Sequence, residues 1–336
     1  MKAFEVREAT GLDGLVLNRQ RAEPVPQRDE ILIKMRAVSL NFRDLGVIRG
    51  AYGYTKFPVI PVSDGAGEVI AVGDDVTRFR VGDRVAGTFF QNWPSGRIPV
   101  NASQNSLGGM IDGMLTELRA LPEEGAVKIP DHLSFEAAAT LPVAGLTAWH
   151  ALVEAGRIKA GETVVVLGTG GVSCFALQFA KLHGARVVLT SSSDEKLARG
   201  KVLGADDLIN YRKTPEWDAE VLKLTDGIGA DHIVEVGGPG TIEKSLKAVR
   251  MGGTLSVIGA VSGPGQIDPR PINRKAITLH GIHVGSREMF EAMNRAITQS
   301  GLKPVIDRVF SFEDAKAAYE HMMSGQHFGK IVVRTI

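Results

Sequence analysis

The stretch TVVVLGTGGVSCFALQFAKLHG, residues 163–184, decides the fold of this chain. An apolar run typical of a buried strand leads into a glycine turn, and the apolar spacing of an amphipathic helix follows. Gly168 permits the tight turn, and Gly170 lets a phosphate group approach the backbone at the helix N-terminus. This order of strand, turn and helix predicts a dinucleotide site that also includes Gly171 and Val172.

The third glycine of the dinucleotide fingerprint is replaced here by Ser173. Serine is still small enough for the close packing of helix on strand that this position requires. The alternative interpretation is a turn of an α/β protein that binds no ligand. A glycine pattern alone is weak evidence, but its position between a strand and a helix favours the dinucleotide site.

Units of the same kind continue after this stretch. The runs ARVVLTS, ADHIVEVGG and TLSVIGA alternate with helical segments as far as residue 285. Strands that alternate with helices of this length predict a doubly wound parallel sheet, the Rossmann arrangement. Because a helical stretch precedes the first of these strands, we place the Rossmann domain at residues 126–285.

The sequence on either side has a different rhythm. Residues 1–125 contain short β-runs and little helical periodicity, which indicates a β-rich domain. Residues 286–336 are too few to bury a core of their own, so we expect them to return to that first domain. The predicted fold class is therefore α/β, with a parallel sheet inserted in a β-rich domain. The polar loop 89–113 and the segment around Tyr52 and Tyr54 are expected to shape a pocket.

The composition excludes several classes of function. A formal net charge of +1 over 336 residues gives no electrostatic case for nucleic acid or an anionic membrane as partner. The one cysteine, Cys174, excludes an internal disulfide and a multi-cysteine metal site. The N-terminus lacks the apolar segment of a signal peptide, and the most apolar helical segment is too short to span a bilayer. We expect a cytoplasmic, soluble protein with a small-molecule substrate.

The strand that follows the glycine turn ends in serines. In VVLTSSSDEK, residues 187–196, Ser191 and Ser192 stand where a NAD-selective site carries Asp or Glu. A carboxylate there repels a 2′-phosphate, whereas hydroxyls donate hydrogen bonds to it, and Lys196 adds a positive charge. The alternative is a serine-rich helix cap with a solvated lysine. The pattern favours NADP(H) as the cofactor.

Two further features bear on this pocket. Arg212 follows Tyr211 at the end of the next strand, where its charge can close the phosphate pocket. Asp194 is the opposing feature, because a carboxylate near the ribose favours NAD. We interpret Asp194 instead as the N-cap of the following helix.

Six motifs, in order along nearly the whole chain, resemble those of the medium-chain dehydrogenase/reductase superfamily, and most closely its zinc-free quinone-oxidoreductase and enoyl-reductase branch. They are NFRD at 41–44, PVSDGAGEVIAVGDDVTRFRVGDRV at 61–85, LPVAGLTAWHAL at 141–152, GTGGVS at 168–173, LGADDLINY at 203–211 and FGKIVV at 328–333. The resemblance implies a GroES-like catalytic domain interrupted by the Rossmann domain. It also implies a homodimer formed through the last Rossmann strand, within ITLHGIHVG.

The resemblance also assigns catalytic residues to the first domain. It implies that Asn41 lies beside the nicotinamide, that Asp44 fixes this loop, and that Tyr52 stands near the substrate as a proton or hydrogen-bond donor. The alternatives are a turn residue for Asn41, a helix N-cap for Asp44 and a pocket wall for Tyr52.

Further cofactor contacts follow from the same resemblance. They are Thr147, Gly237, Ile258, Gly259, His283, Val284 and Lys330. For Thr147 the alternative is a hydroxyl bonded to its own helix, and for Lys330 it is a solvated strand lysine.

The departures from the zinc-bearing relatives decide the chemistry. Those relatives carry a cysteine near 39–41, a His-Glu pair where this chain has Ser63 and Asp64, and a cysteine or acid at Val143. Asp64 is the one ligand type retained, so no metal is predicted, because catalytic zinc takes about three protein ligands.

Without a Lewis acid, hydrogen-bond donors must stabilise the anion that forms when hydride is accepted. Reduction of a quinone, or of a C=C bond conjugated to a carbonyl, meets this condition and fits NADPH. The alternatives are a zinc-independent alcohol or aldehyde dehydrogenase and a non-catalytic NADPH-binding protein.

Overall fold

The computed structural model describes residues 1–53, 56–259, 261 and 263–335, so Tyr54 and Ala260 lie outside the described residues. The chain forms two compact units. The first comprises Met1–Leu146 and Val284–Ile336, and the second comprises Thr147–His283.

The regular elements of the described residues are numbered in chain order. The strands are β1 Ala3–Val6, β2 Leu15–Asn18, β3 Glu30–Leu40, β4 Asp64–Val72, β5 Arg84–Gly87, β6 Leu118–Pro122, β7 Ala126–Lys128, β8 Thr163–Leu167, β9 Arg186–Ser191, β10 Asp207–Asn210, β11 Ala230–Glu235, β12 Val249–Val257, β13 Thr278–Gly281, β14 Ile306–Ser311 and β15 Lys330–Arg334. The α-helices are α1 Phe42–Ile48, α2 Phe135–Ala138, α3 Leu146–Trp149, α4 Gly171–Leu182, α5 Asp194–Val202, α6 Trp217–Leu224, α7 Ile242–Ala248, α8 Arg270–Arg274, α9 Arg287–Ser300 and α10 Ala315–Met323. Among the described residues, no helix combines the length and the apolar character needed to cross a bilayer.

The second unit is built on a parallel sheet. Its strand order is β10-β9-β8-β11-β12-β13, and each neighbouring pair is parallel. This is the doubly wound order in which the first strand lies beside the fourth, so the predicted Rossmann sheet is confirmed. Val165, Val188 and Ile233 are fully buried in its core, because a sheet covered on both faces needs apolar side chains throughout.

The first unit contains a seven-stranded sheet in the order β14-β15-β3-β4-β5-β7, with β6 also paired to β3. β15 runs antiparallel to β3, with Ile331 opposite Leu40. The C-terminal segment therefore completes a sheet begun by the N-terminal one. The two strands that meet here are buried along most of their length, which explains why neither segment could bury a core alone.

Residues 126–146 lie in the first unit, whereas the sequence pattern placed them in the Rossmann domain. β7 pairs with β5, and α2 packs against β3 and β4. The helical spacing of this segment predicted a helix but not the core on which its apolar face would pack. The helical stretch is also interrupted, because π-helical turns at Leu141–Gly145 and His150–Ala155 flank α3.

The polar loop 89–113 packs closely against the rest of the first unit. Phe89, Phe90 and Trp93 are buried, although the loop has no long strand. A Cβ on Gly108 would come within 2.7 Å of the backbone carbon of Val62, so this approach requires glycine. The loop is therefore an ordered, packed part of the first unit.

Candidate functional site

The predicted glycine turn opens helix α4 at the carboxyl end of β8. Gly168 has a φ of 72°, the left-handed conformation that favours glycine. Gly170 is the N-cap of α4, and a Cβ placed there would meet nothing within 4 Å, so the backbone is open to a ligand. The Ser173 hydroxyl is buried and donates to the Leu167 carbonyl at 2.7 Å, which ties the helix to the strand.

A buried carboxylate that the sequence analysis missed supports the next turn, at the carboxyl end of β11. Glu235 Oε1 accepts the backbone N–H groups of Gly237 at 2.7 Å and Gly238 at 3.0 Å and the Thr241 hydroxyl at 2.6 Å. Its Oε2 accepts the hydroxyl of Ser245. The sequence signal for Glu235 is an acidic residue at the end of an apolar strand, shortly before two glycines.

The end of β12 comes close to the same turn. The Ile258 N–H donates to the Glu235 carbonyl at 2.9 Å. A Cβ on Gly259 would come within 2.7 Å of the Val236 carbonyl oxygen, so only glycine fits there without displacement. The predicted residues Gly237, Ile258 and Gly259 are thus brought together.

The ends of these strands enclose a cavity of about 530 Å³ in the second unit. Gly168, Thr190, Tyr211, Val236 and Gly237 line it. A cavity at the carboxyl ends of the strands of a doubly wound sheet, at the β8–β11 crossover point, is where such folds bind ligands.

The serine segment caps the next helix. Ser193 is the N-cap of α5, and its hydroxyl accepts the Lys196 N–H at 3.3 Å. The interpretation of Asp194 as N-cap was therefore wrong by one residue. Ser191 is buried, with its hydroxyl accepting the Ser193 N–H at 3.3 Å, whereas Ser192 and Lys196 are half-buried.

Asp194 is bound by polar groups of the neighbouring strand end. Its carboxylate accepts Asn210 Nδ2 at 2.6 Å and pairs with Lys213 Nζ at 2.5 Å. The hydrogen bonds from Lys213 and then from Asn210 lower the pKa of the Asp194 carboxyl. Tyr211 and Arg212 are exposed just beyond, and the Tyr211 N–H donates to the Ser191 carbonyl at 3.1 Å.

A cluster of buried polar groups lies in the first unit where β3, β4 and β15 meet; we call Asn41, Asp64 and Lys330 the polar cluster. Lys330 Nζ donates to the Leu40 carbonyl at 2.7 Å and to Asn41 Oδ1 at 2.6 Å. It lies 3.7 Å from Asp64 Oδ2. Burial lowers the pKa of Lys330 and raises that of Asp64, and the attraction between the two opposes both shifts.

The same cluster tests whether zinc would fit. Asp64 accepts the Ser63 hydroxyl at 3.0 Å and the Val143 backbone N–H at 3.2 Å, so its other neighbours are donors rather than metal ligands. The nearest cation is the Lys330 ammonium. No group of three or more His, Cys, Asp or Glu side chains suited to a metal occurs in the described part of the chain. The residues do not fit the zinc ion of the zinc-bearing relatives.

Asp44 is a fully buried carboxyl in the first turn of α1. Asn41 is the N-cap, so the alternative of Asp44 as N-cap was wrong, and Asp44 Oδ2 accepts the Asn41 backbone N–H at 2.7 Å. Burial raises the pKa of Asp44 to about 6, against the lowering effect of Arg43. The Asp44 side chain therefore binds the backbone of Asn41.

Tyr52 is held beside an arginine that the sequence analysis did not single out. The phenol side chain is 37% exposed. The Arg43 guanidinium lies 5.9 Å from the Tyr52 ring centre and 4.7 Å from that of Phe89, within cation–π range of both. Arg43 Nη1 also donates to the Leu107 carbonyl at 3.2 Å. Arg43 therefore joins Tyr52 to the loop 89–113.

The remaining predicted contacts have different exposures. Thr147 is buried in α3. His283 is exposed and lies beyond the last Rossmann strand, which ends at Gly281 rather than continuing through ITLHGIHVG. Val284 is buried with a φ of 52°, an unusual conformation for a β-branched residue.

Two family models match the chain. Zinc-binding dehydrogenase matches residues 171–299, and the alcohol dehydrogenase GroES-like domain matches residues 27–131. Among curated relatives, the zinc-type alcohol dehydrogenase-like protein C1773.06c of Schizosaccharomyces pombe is 43% identical, with 97% of each chain covered. The quinone oxidoreductase of Mus musculus is 30% identical over 99% of this chain and 97% of its own.

Solved structures show the same similarity. A NAD-dependent alcohol dehydrogenase superposes with a TM-score of 0.91 at 32% identity, with 100% of both chains covered. The mycobacterial protein Rv1454c, solved in complex with NADPH, superposes with a TM-score of 0.84 at 28% identity, again over 100% of both chains.

Proposed function

This chain belongs to the medium-chain dehydrogenase/reductase superfamily and is an oxidoreductase. We propose that it transfers hydride from NADPH to a quinone or to a C=C bond conjugated to a carbonyl, and that it does so without zinc. The observation that carries this proposal is the polar cluster. In it, Asp64, which stands where the zinc-bearing relatives carry a metal ligand, lies 3.7 Å from the Lys330 ammonium.

A reaction without a metal needs other groups to stabilise negative charge. NADPH, when bound, supplies the hydride, and charge then builds on the acceptor's oxygen. The Asn41 side-chain amide and the Tyr52 phenol are the donors proposed for that oxygen, and Tyr52 is exposed enough to reach a ligand. Asp44 and Lys330 hold Asn41 from its backbone and its side chain.

The preference for NADPH is supported by the end of β9. Ser192 and Lys196 are accessible there, and Asp194 is bound to Asn210 and Lys213. The Rv1454c structure contains NADPH, whereas the 32%-identical structure is named a NAD-dependent enzyme, so the relatives alone support either cofactor. The proposal rests on the serines.

A zinc-independent alcohol or aldehyde dehydrogenase is the second candidate. Relatives at 43% and 32% identity carry alcohol dehydrogenase names. Such a reaction must take a proton from an alcohol, and the ionisable groups of the polar cluster, Lys330 and Asp64, are bound to each other and to their neighbours. The first candidate reaction does not need such a proton acceptor.

An acceptor screen distinguishes the candidates. The purified protein is incubated with NADPH and, separately, an enone, a quinone and an aldehyde, and the absorbance of NADPH is followed. We expect oxidation with the enone or the quinone, and full activity after exhaustive chelation. Turnover of the aldehyde alone would favour the second candidate. NADPH binding without turnover of any acceptor would indicate a binding protein, and a stoichiometric zinc content would contradict the metal-free proposal.

A cytoplasmic homodimer completes the proposal. β13 is an edge strand of the parallel sheet, and three of its four residues are exposed, so its backbone can pair with a second copy. Light scattering is expected to give twice the chain mass of 36.0 kDa.

A further inference from the structure

Lys330 has no donor left for a ligand. Its side chain is 3% exposed, and two of the three ammonium N–H groups reach the Leu40 carbonyl and Asn41 Oδ1. The third faces Asp64, whose Oδ2 lies 3.7 Å away. The resemblance implied a cofactor contact for this residue, but its ammonium is committed to groups inside the first unit.

We propose that Lys330 is a positioning residue, a buried ammonium that fixes the orientation of the Asn41 side-chain amide. This inference rests on the proposed function, in which the Asn41 amide donates to the acceptor's oxygen. It adds a specific task to the lysine, which keeps the oxygen end of the Asn41 amide facing the ammonium, in the orientation that the capping box of α1 also uses.

The chemistry of the pair sets that orientation. An ammonium can only donate, so the atom of Asn41 that faces it at 2.6 Å must be the oxygen. Asn41 Nδ2 is then turned the other way, toward the Ser63 hydroxyl at 3.5 Å and the Asp64 carboxyl, to which it also hydrogen-bonds. A flipped amide would place N–H groups against the ammonium, which is strongly unfavourable. The lysine therefore keeps the donor end of the amide facing away from itself.

The fold builds this contact from distant parts of the sequence. Ile331 pairs with Leu40, next to Lys330 in one strand and Asn41 in the other segment, and Ser39 pairs with Asp64 on the other side. Asp64 supplies the negative charge that a buried ammonium requires.

The test is a cycle that combines two changes, so that no buried charge is left unpaired. Lys330→Met with Asp64→Asn is made in the native protein and in an Asn41→Ala background. In the native background we expect kcat to fall about 10- to 100-fold, because the amide is free to flip, while the dissociation constant for NADPH stays within about twofold. In the Asn41→Ala background the same pair of changes is expected to lower kcat by less than about twofold further.

A matched control is Lys316→Met, which removes an exposed lysine of α10 and is expected to leave kcat unchanged. The inference is overturned if the paired change weakens NADPH binding about tenfold with kcat intact, since Lys330 would then contact the cofactor. It is also overturned if the effects on kcat are the same in both backgrounds, since Lys330 would then act independently of Asn41.

A second measurement does not need turnover. The side-chain amide of Asn41, labelled with ¹⁵N and identified as the signal lost in Asn41→Ala, is expected to shift by several linewidths in the paired variant and to stay in place in Lys316→Met. An unshifted signal overturns the inference. If the native protein reduces no acceptor, the proposed function fails, and the amide signal alone still tests whether the Lys330 and Asp64 pair contacts the Asn41 amide.

Discussion

The carboxyl edge of the parallel sheet and the polar cluster use polar groups in opposite ways. At the sheet edge, the backbone turns that border the cavity are held by residues close together in sequence, as where the Gly237 N–H donates to Glu235. In the polar cluster the charges are buried, and the hydrogen bond from Lys330 to Asn41 spans 289 residues. The sheet edge borders a cavity that a ligand can enter, whereas the charged groups of the polar cluster are buried.

The difference matters because water screens the first region and not the second. An exposed ion pair contributes up to about 1 kcal/mol, while removing one partner of a buried pair costs about 3–5 kcal/mol. Changes that leave one charge of the polar cluster unpaired should therefore act mainly on stability, and changes at the sheet edge mainly on ligand binding.

The largest expected effect is that of Lys330→Met alone. It leaves the Asp64 carboxylate buried without its cation, and we expect the free energy of unfolding to fall by about 3–5 kcal/mol. Adding Asp64→Asn should restore most of this loss, since no charge then remains unpaired. Denaturant unfolding of the single, paired and Lys316→Met variants measures it. A single variant as stable as the native protein would show that water reaches the cluster.

Asp44→Asn tests the same contrast through pH. The pKa of Asp44 is about 6 in the native protein and about 4 in an unfolded chain, so between these values the folded state holds a proton that the unfolded state releases. Stability from this group is full below about pH 4 and is lost as pH rises through about 6, leaving a cost of about 3 kcal/mol above it.

The Asp44→Asn change removes this titration. The stability of the variant relative to the native protein is therefore expected to improve by about 3 kcal/mol between about pH 4 and about pH 8. Denaturant unfolding at several pH values gives the difference, with Asp75→Asn, an exposed carboxylate, as the control. A difference independent of pH would mean that Asp44 is not buried in its charged form.

The two regions also differ in how far sequence could predict them. The glycine turn is a local pattern, and Gly168, Gly170 and Ser173 could be assigned from neighbours within a few residues. The doubly wound parallel sheet followed from the alternation of strands and helices, although the order of its strands was not predicted. The N-cap was off by one residue, Ser193 instead of Asp194, because both residue types cap helices well.

The polar cluster could not be derived in that way. Its contacts depend on the register of β15 against β3, which no local pattern encodes. A lysine that begins an apolar strand predicts a solvated side chain, and only the sheet shows that Lys330 is enclosed. Residues 126–146 were misplaced for the same reason, since an apolar helix face does not specify its partner.

A smaller effect is expected from Glu235→Gln. The change keeps the shape but removes the charge that accepts two backbone N–H groups and two hydroxyls, at a cost of about 2 kcal/mol in stability. Because the carboxylate holds the backbone turn, the dissociation constants of NADPH and NADH should rise by the same factor. Fluorescence titration with both nucleotides measures the two constants, and Glu220→Gln is the control. An unequal rise of the two dissociation constants would contradict this role.

Lys196→Ala is expected to have the smallest effect and the most selective one. The side chain is half-buried at the start of α5, and one screened contact to a 2′-phosphate should change the dissociation constant of NADPH about tenfold, or about 1.4 kcal/mol. NADH, which lacks that phosphate, should bind the variant as it binds the native protein. The control is Lys223→Ala, an exposed lysine at the end of α6. Equal weakening of both nucleotides would contradict the serine pocket, because the lysine would then act on the helix rather than on the phosphate.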